Sequence, residues 1–228
     1  MKLPETSFER SSSALLGLVS RRQRWGLTLK GWVFLFATAL LFVIAGVFSV
    51  HPFLAITAPE ATKTLVVEGW ISEVGIKYAA EQMLSNSYDH AFITGGPISG
   101  FGGYTSDFNT YAQYGFSRLL EKGVPRDRLT RVPCRVTERD RTYSSAVVLR
   151  HHFQINNLRP AAINILTDAV HARRSRLLFE SALGRDIKIG VIAVPPSEYK
   201  ATRWWRYSAG VKDVFSEALA YTYARIYF

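Results

Sequence analysis

The sequence predicts an α/β domain of three layers, in which a mostly parallel sheet of about five strands carries helices on both faces. Two observations carry this prediction. After residue 63, short β-rich runs alternate with helix-like stretches, and one long uncharged segment precedes them. Strands that alternate with helices indicate βαβ units, whose strands run parallel. The uncharged segment predicts one transmembrane helix in front of the domain.

The uncharged segment at 31–50 is dominated by Leu, Phe, Val and Ala. A membrane-spanning helix needs roughly 20 apolar residues, which this segment supplies. A buried helix of a soluble domain is the alternative, but such a helix usually keeps a polar face. A cleaved signal peptide is a second alternative, although its apolar core is usually only about 7–15 residues long.

Basic residues at 21–30 precede the span, whereas the next basic residue after it is Lys63. The positive-inside rule therefore predicts a cytoplasmic N-terminus and an extracytoplasmic domain at a bacterial inner membrane. The lipid bilayer is accordingly an expected partner. The predicted organisation is a basic segment at 1–30, the transmembrane helix at 31–50, a linker at 51–62, and at 63–228 the α/β domain with an aromatic C-terminal helix.

The chain has 228 residues, a formal net charge of +10 and a single cysteine, Cys134. One cysteine allows neither a disulfide within the chain nor a cysteine zinc site. The charge is not gathered into a Lys-rich stripe, so we do not predict nucleic acid binding. Acidic lipid headgroups, or a phosphorylated lipid carrier or glycan, are the partners that it favours.

Local patterns place the strands and helices along the domain. Four helices are predicted between the strands, and the fourth runs from Asp168 as its N-cap to Gly184 as its end. A helix before it has Thr137 or Asp140 as its predicted cap. The predicted strands are 64–67, 90–94, 129–132, 163–166 and 187–194, and the other predicted helices are 73–84, 107–121, a stretch ending near 156, and about 211–225.

Ligands of open parallel sheets bind beyond the carboxyl ends of the strands, so these ends supply the candidate site residues. Each of the first four strands contributes polar or glycine residues there. The candidates are Glu68 after the first strand, Thr94, Gly95 and Gly96 after the second, Asp140 and Thr142 after the third, and Thr167, Asp168, His171, Arg173 and Arg174 after the fourth.

Three arginines, Arg173, Arg174 and Arg176, lie at the start of the fourth helix, beside His171. Cations there oppose the helix dipole, so Arg173 and Arg174 predict an outside anion; pairing with nearby carboxylates or exposure to water is the alternative. The Gly95–Gly96 backbone could approach the same anion, or could simply form a turn.

Two titratable side chains at the strand ends, His171 and Glu68, are the candidates for proton transfer. Glu68 has other possible roles, as a ligand of a divalent ion, an acceptor for a substrate hydroxyl, or the partner of an arginine. No spacing of histidines and carboxylates demands a metal, so none is predicted, and no cofactor is identified.

Several common sites are absent from the sequence. It contains no Walker A sequence, no Gly-x-Gly-x-x-Gly and no Gly-x-Ser-x-Gly elbow.

At the C-terminus, Trp204 and Trp205 could rim the cleft or rest on a bilayer. The spacing of Leu219, Tyr223 and Ile226 instead predicts packing against the sheet.

The order of these motifs resembles the YdcF-like family, which includes membrane-anchored envelope proteins. Matching segments are Thr94-Gly95-Gly96, Gly123-Val124-Pro125, Thr142 with Ala146, and His171 with Arg174, within roughly 64–195. The resemblance implies a Rossmann-like domain linked to cell-envelope metabolism of polysaccharides or lipid carriers.

The chain departs from the family pattern at several positions. Its first turn is Glu68-Gly69-Trp70, Ser145 replaces an Asn, and Arg139 replaces a Ser, so it represents a divergent branch of the family it resembles.

Three hypotheses on function follow. The first is a membrane-anchored domain that binds, and could process, a phosphorylated or glycosylated envelope precursor. The second is a non-catalytic scaffold or partner in envelope biogenesis. The third is a nucleotide or S-adenosylmethionine binder, which would require the inverted topology.

Overall fold

The computed structural model describes residues 27–98, 108–135 and 140–228, and two short strands nearer the N-terminus. The start of the helix predicted at 107–121 and the predicted cap Thr137 lie outside these residues.

The chain divides into two compact units, Met1–Ile44 and Ala45–Phe228. In the first unit, β1 (Ser13–Ala14) and β2 (Val19–Ser20) pair antiparallel. Helix α1 (Leu29–Leu54) begins in the first unit and ends in the second.

Helix α1 is the only helix in the described part of the chain that is long and apolar enough to cross a membrane. It has 26 residues, and none of its most apolar 18-residue window, of mean hydropathy 2.6, is buried. At 1.5 Å per residue the helix is about 39 Å long, more than a bilayer core of about 30 Å requires.

The helix continues beyond the predicted span, through 51–54 of the predicted linker. Pro52 lies inside it, yet the Ala55 N–H still donates to the His51 carbonyl at 2.9 Å. The last turn is helical because it is packed: Leu54 is fully buried against Val170, Trp204 and neighbouring apolar side chains.

The second unit contains a five-stranded, all-parallel sheet in the order β5-β4-β3-β6-β7, so the predicted α/β fold class is confirmed. The chain order reverses between β3 and β6, which lie side by side at the centre, as in Rossmann-like domains. The strands are β3 (Thr64–Glu68), β4 (His90–Gly95), β5 (Leu129–Pro133), β6 (Ala162–Asp168) and β7 (Lys188–Val194).

Helices cover both faces of this sheet because side chains alternate along each strand. Leu65 and Val67 pack with one pair of helices, whereas Val66 packs with the other pair. The first pair is α2 (Glu73–Leu84) and α3 (Tyr111–Glu121), the second is α4 (Arg141–Ile155) and α5 (Ala172–Leu183), and α6 (Ser208–Tyr227) follows a 3-10 turn at Ala201–Arg206.

The observed start of α5 contradicts the predicted N-cap of this helix. The Asp168 side chain makes no capping hydrogen bond; its carboxylate accepts from the Ser72 N–H at 2.9 Å and the Ser72 hydroxyl at 2.8 Å. A 3-10 turn at Ala169–His171 intervenes, so the prediction of Asp168 as N-cap is wrong. Gly184 does end α5, with φ +81°.

The C-terminal helix corrects another prediction. Leu219 and Ile226 are both 72% exposed and do not pack against the sheet. The buried residues of α6 are instead Val214, Glu217 and Ala224, with Gly210. A charged residue therefore lies on the buried face of α6.

Candidate functional site

A cavity of about 440 Å³ lies at the carboxyl edge of the sheet, at the point where the chain order reverses. The ends of β3 and β4, the start of α4 and the turn after β6 surround it, and α6 closes it from outside the sheet. Eight of the predicted site residues line this cavity: Glu68, Thr94, Gly95, Gly96, Asp140, Thr142, His171 and Arg174.

The other three predicted residues do not line it. Thr167 is fully buried beneath the strand ends. Asp168 points to Ser72 and lines a separate cavity of about 100 Å³. The guanidinium of Arg173 lies 4.0 Å from the centre of the Phe53 ring and its Nε donates to the Phe53 carbonyl.

Gly95, the last residue of β4, is required by close packing against the start of α3. A Cβ on Gly95 would lie 2.7 Å from the Tyr111 Cβ and 2.8 Å from the Ala112 nitrogen. The Gly96 carbonyl accepts the Tyr111 N–H at 2.9 Å. The start of α3 thus sits directly on this turn, so packing alone accounts for Gly95.

His171 is held at the cavity by a buried carboxylate that the sequence analysis missed. Its Nδ1 lies 2.6 Å from Oε2 of Glu217, which is only 2% exposed. In the neutral imidazole, an Nδ1–H that donates to Glu217 leaves the Nε2 lone pair free. The Trp70 ring meets the His171 ring edge to face, with centroids 4.8 Å apart.

Arg174 is the second partner of Glu217. The Arg174 Nε donates to Oε1 of Glu217, and the Arg174 Nη2 lies 3.3 Å from Oε2. Burial would raise the pKa of Glu217, but the hydrogen bonds and positive charges of His171 and Arg174 outweigh it and lower that pKa. Glu217 therefore stays ionised, and it neutralises the arginine that we had expected to meet an outside anion.

Glu68, at the end of β3, behaves in the opposite way. It is 2% exposed, and its Oε2 accepts a hydrogen bond from the Ser175 hydroxyl at 2.7 Å. Burial raises the pKa of Glu68, and the hydroxyls of Thr167 and Ser175 and the more distant charges of Arg174 and His171 only partly oppose this. A carboxyl that keeps its proton to higher pH can donate to a ligand.

Each arginine of the predicted cluster has an internal contact. Arg174 pairs with Glu217, Arg176 pairs with Glu180 at 2.8 Å, and Arg173 contacts Phe53. The alternative of pairing with nearby carboxylates is confirmed for Arg174 and Arg176. The prediction that Arg173 and Arg174 bind an anion now depends on a ligand displacing these contacts.

The start of α4 offers a different place for an anion. Arg141 lines the cavity, is exposed, and pairs with no carboxylate in the described ranges. Asp140 occupies the N-cap position with φ +51°, but its side chain makes no capping hydrogen bond. Among the described residues, no side chain caps the first N–H groups of α4, which favours an anion there.

The remaining walls of the cavity are mainly aromatic, apolar or small residues. Phe228, one of them, meets the Tyr143 ring at a tilt with centroids 4.5 Å apart, which joins α4 to the C-terminal residue. Aromatic walls suit the apolar faces of sugar rings, while carboxyl groups suit their hydroxyls. The other lining residues that the sequence analysis did not name as candidates are Trp70, Pro97, Tyr111, Ser145, Leu178, Ala220, Tyr223 and Ala224.

One sequence signal could have revealed Glu217. It lies three residues after Val214 and seven before Ala224, so it shares their face of α6 at helical spacing. A charged residue on the buried face of a helix requires a partner, and the cations beside His171 were candidates.

The smaller cavity does not form a metal centre. Asp168, Glu198 and Asp213 line it. Burial, and to a smaller extent these nearby carboxylates, raise the pKa of Tyr199 to about 12. Within the ranges that the structure describes, no group of three or more His, Cys, Asp or Glu residues could hold a metal ion.

Comparison with known proteins neither supports nor contradicts the family resemblance seen in the sequence. No protein-family model matches the chain, and no curated protein is significantly similar to it.

Proposed function

We propose that this protein is a single-pass, membrane-anchored domain that binds and processes a phosphorylated or glycosylated precursor of the cell envelope. The observation that carries the proposal is the cavity at the strand ends, where buried Glu217 fixes His171 beside a second buried carboxyl, Glu68.

Acid–base chemistry is supported by the opposite environments of the two glutamates. Glu217 stays ionised and orients His171, whose Nε2 can accept a proton from a ligand hydroxyl or water. The raised pKa of Glu68 leaves a protonated carboxyl at the same cavity, which can donate. A proton acceptor and a proton donor on one cavity are what hydrolysis or group transfer requires.

Binding of a phosphate or a similar anion is supported by the start of α4. Arg141 and the uncapped N–H groups of this helix supply positive charge, while Arg174 is neutralised by Glu217. Asp140 and the Trp70 ring, which also line the cavity, suit the hydroxyls and apolar face of a sugar. A phosphorylated sugar would use both sets of groups.

Membrane anchoring and the envelope assignment have separate support. The apolar helix α1 is long enough to span a bilayer, and the basic residues before it favour a cytoplasmic N-terminus. The resemblance to YdcF-like proteins favours an envelope substrate. A topology reporter fused after Phe228 tests the orientation, and an active reporter on the cytoplasmic side would contradict it.

The direct test is ligand-induced thermal stabilisation of the full chain in lipid nanodiscs. The ligands are inorganic pyrophosphate, a nucleotide sugar, an unphosphorylated glycan and S-adenosylmethionine. We expect a phosphorylated ligand to stabilise the wild type and Arg185→Ala, an exposed control outside the cavity, but to lose about tenfold in affinity with Arg141→Ala.

Other results would favour the alternatives. Stabilisation by S-adenosylmethionine alone would support the nucleotide-type binder. A folded protein that responds to none of these ligands would support the non-catalytic scaffold and contradict our proposal.

A further inference from the structure

The first half of α6 exposes apolar side chains, and the half-buried Trp205 lies on the 3-10 turn at Ala201–Arg206 that precedes it. Phe215 is 61% exposed, and Leu219, one helical turn later, is more exposed still. With Trp205 on the preceding turn, they form what we call the C-terminal apolar face, consisting of Trp205, Phe215 and Leu219. Such side chains on one helical face require a covering surface.

This face is fixed at the level of the last apolar turns of α1. The Trp204 indole N–H donates to the Val47 carbonyl at 3.1 Å. The Trp205 ring meets the Phe48 ring edge to face, with centroids 4.8 Å apart. Val47 and Phe48 belong to the predicted span at 31–50, so whatever surrounds this end of the span also reaches Trp205.

The same turn carries two cations without internal partners. Arg203 and Arg206 are exposed, and neither pairs with a carboxylate in the part of the chain that the structure describes. Phosphate groups of anionic lipids attract arginine, and a tryptophan at the same depth places its ring among the headgroups. The charges and the apolar side chains thus match one surface.

We propose that the C-terminal apolar face docks on an anionic bilayer surface, with Arg203 and Arg206 on lipid phosphates. This inference rests on the membrane anchoring proposed above. The bilayer is the occupant because the apolar face is continuous with the end of the span and because the unpaired charges are positive. A protein partner would not need to lie at that depth.

The test measures membrane depth with a nitroxide label at single cysteines in the full chain, after Cys134→Ala. The protein is reconstituted into vesicles of phosphatidylglycerol and phosphatidylcholine, and collisions with oxygen and with a water-soluble nickel chelate are compared. The label replaces Phe215 in one variant. In the control it replaces Ile155, which is similarly exposed, at 64%, and lies at the far end of α4.

We expect the label at 215 to collide mainly with oxygen and the label at 155 mainly with nickel. Equal nickel access at both positions would overturn the proposal. Spin–spin broadening at 215 would also overturn it, because a second copy of the chain would then cover the face. A label in place of Phe42 separates the two proposals, since nickel access there would show that the anchoring itself fails.

The role of the two arginines is tested with the double variant Arg203→Ala/Arg206→Ala. The control is the double variant Arg159→Ala/Arg185→Ala, which removes the same charge from exposed positions elsewhere. Nickel access at 215 should rise toward the value at 155 only in the first pair. An equal response of both pairs, or of neither, would overturn the assignment of the two arginines to lipid phosphates.

Discussion

Two glutamates of the site are equally buried, yet their surroundings give them opposite charge states: Glu68 lines the cavity, whereas Glu217 lies behind His171 and Arg174, which line it. Glu68 and Glu217 are each 2% exposed. Glu68 comes from the end of a central strand and accepts from the Ser175 hydroxyl, so burial prevails and raises its pKa. Glu217 comes from the C-terminal helix and meets His171 and Arg174, which prevail over burial and lower its pKa.

The difference shows that the partners of a buried carboxyl decide its role more than its burial does. A carboxyl among hydroxyls stores a proton, whereas a carboxylate between an arginine and a histidine orients both. The strand side of the cavity therefore supplies an acid, and the helix side holds the histidine.

The largest expected effect is on the helix side. Glu217→Gln leaves the Arg174 guanidinium without its counter-charge and His171 without its ionised acceptor, so we expect the free energy of unfolding to fall by about 3 kcal/mol near neutral pH. Denaturant unfolding followed by circular dichroism measures this change. Glu180→Gln, which breaks the exposed pair with Arg176, should cost less than about 0.5 kcal/mol.

This loss should depend on pH. The pKa of Glu217 is lower in the folded protein than its ordinary value of 4.5, so its contribution is present above that pH. The contribution disappears as the pH falls through the folded pKa. A difference between wild type and Glu217→Gln that grows on acidification would contradict the ion pairs.

Arg174→Ala should have the next largest effect. It removes the guanidinium from Glu217 while the hydrogen bond to His171 remains, so we expect a loss of about 2 kcal/mol in the free energy of unfolding. Arg173→Ala is the matched control on the adjacent residue, where only the Phe53 contacts are lost, at about 1 kcal/mol. Equal losses in thermal or denaturant unfolding would mean that Glu217 does not depend on Arg174.

Glu68→Gln sharpens the comparison through the opposite pH dependence. Because the folded pKa of Glu68 is raised, its stabilising contribution is complete below about pH 4.5 and is lost as the pH rises through the folded pKa. The loss can reach about 1.4 kcal/mol per pH unit between the two pKa values. Glu68→Gln should remove this decline, so that variant should gain stability over wild type on going from pH 4.5 to 7.

A pH series of denaturant midpoints tests the glutamine variant. An unchanged slope would mean that Glu68 is already ionised in the folded protein, and the assignment of Glu68 as a proton donor would then fail.

The smallest effect concerns the donor to Glu68. Ser175→Ala removes the buried hydroxyl that donates to Oε2, so we expect a loss of about 1 kcal/mol in the free energy of unfolding. The loss should grow with pH, because the hydroxyl favours the ionised form of Glu68. A loss that is the same at pH 5 and pH 8 would show that Glu68 does not titrate between them.

Much of the fold was predictable because its signals are local. Short β-rich runs and helix-stop residues such as Gly184 placed the strands and helices close to their positions, and the strand ends led to eight lining residues of the cavity. The predicted cap at Asp168 was wrong because Ser72, 96 residues away in sequence, donates to that carboxylate.

The partner of Arg174 was also hard to predict, because it too lies far away in sequence. Glu217 is 43 residues from Arg174 and on a helix whose direction no local pattern fixes. The sequence could indicate that the cations needed an anion, but only the packing of α6 against α5 shows that the chain itself supplies one.

The measurement that tests the central claim most directly is the ring ¹⁵N spectrum of His171 in the full chain in nanodiscs, assigned by its absence in His171→Gln. We predict a proton on Nδ1, toward Glu217, and an Nε2 signal that moves on addition of pyrophosphate or a nucleotide sugar. A ring protonated on Nε2 alone, or an Nε2 signal unmoved by a ligand that stabilises the protein, would contradict the account.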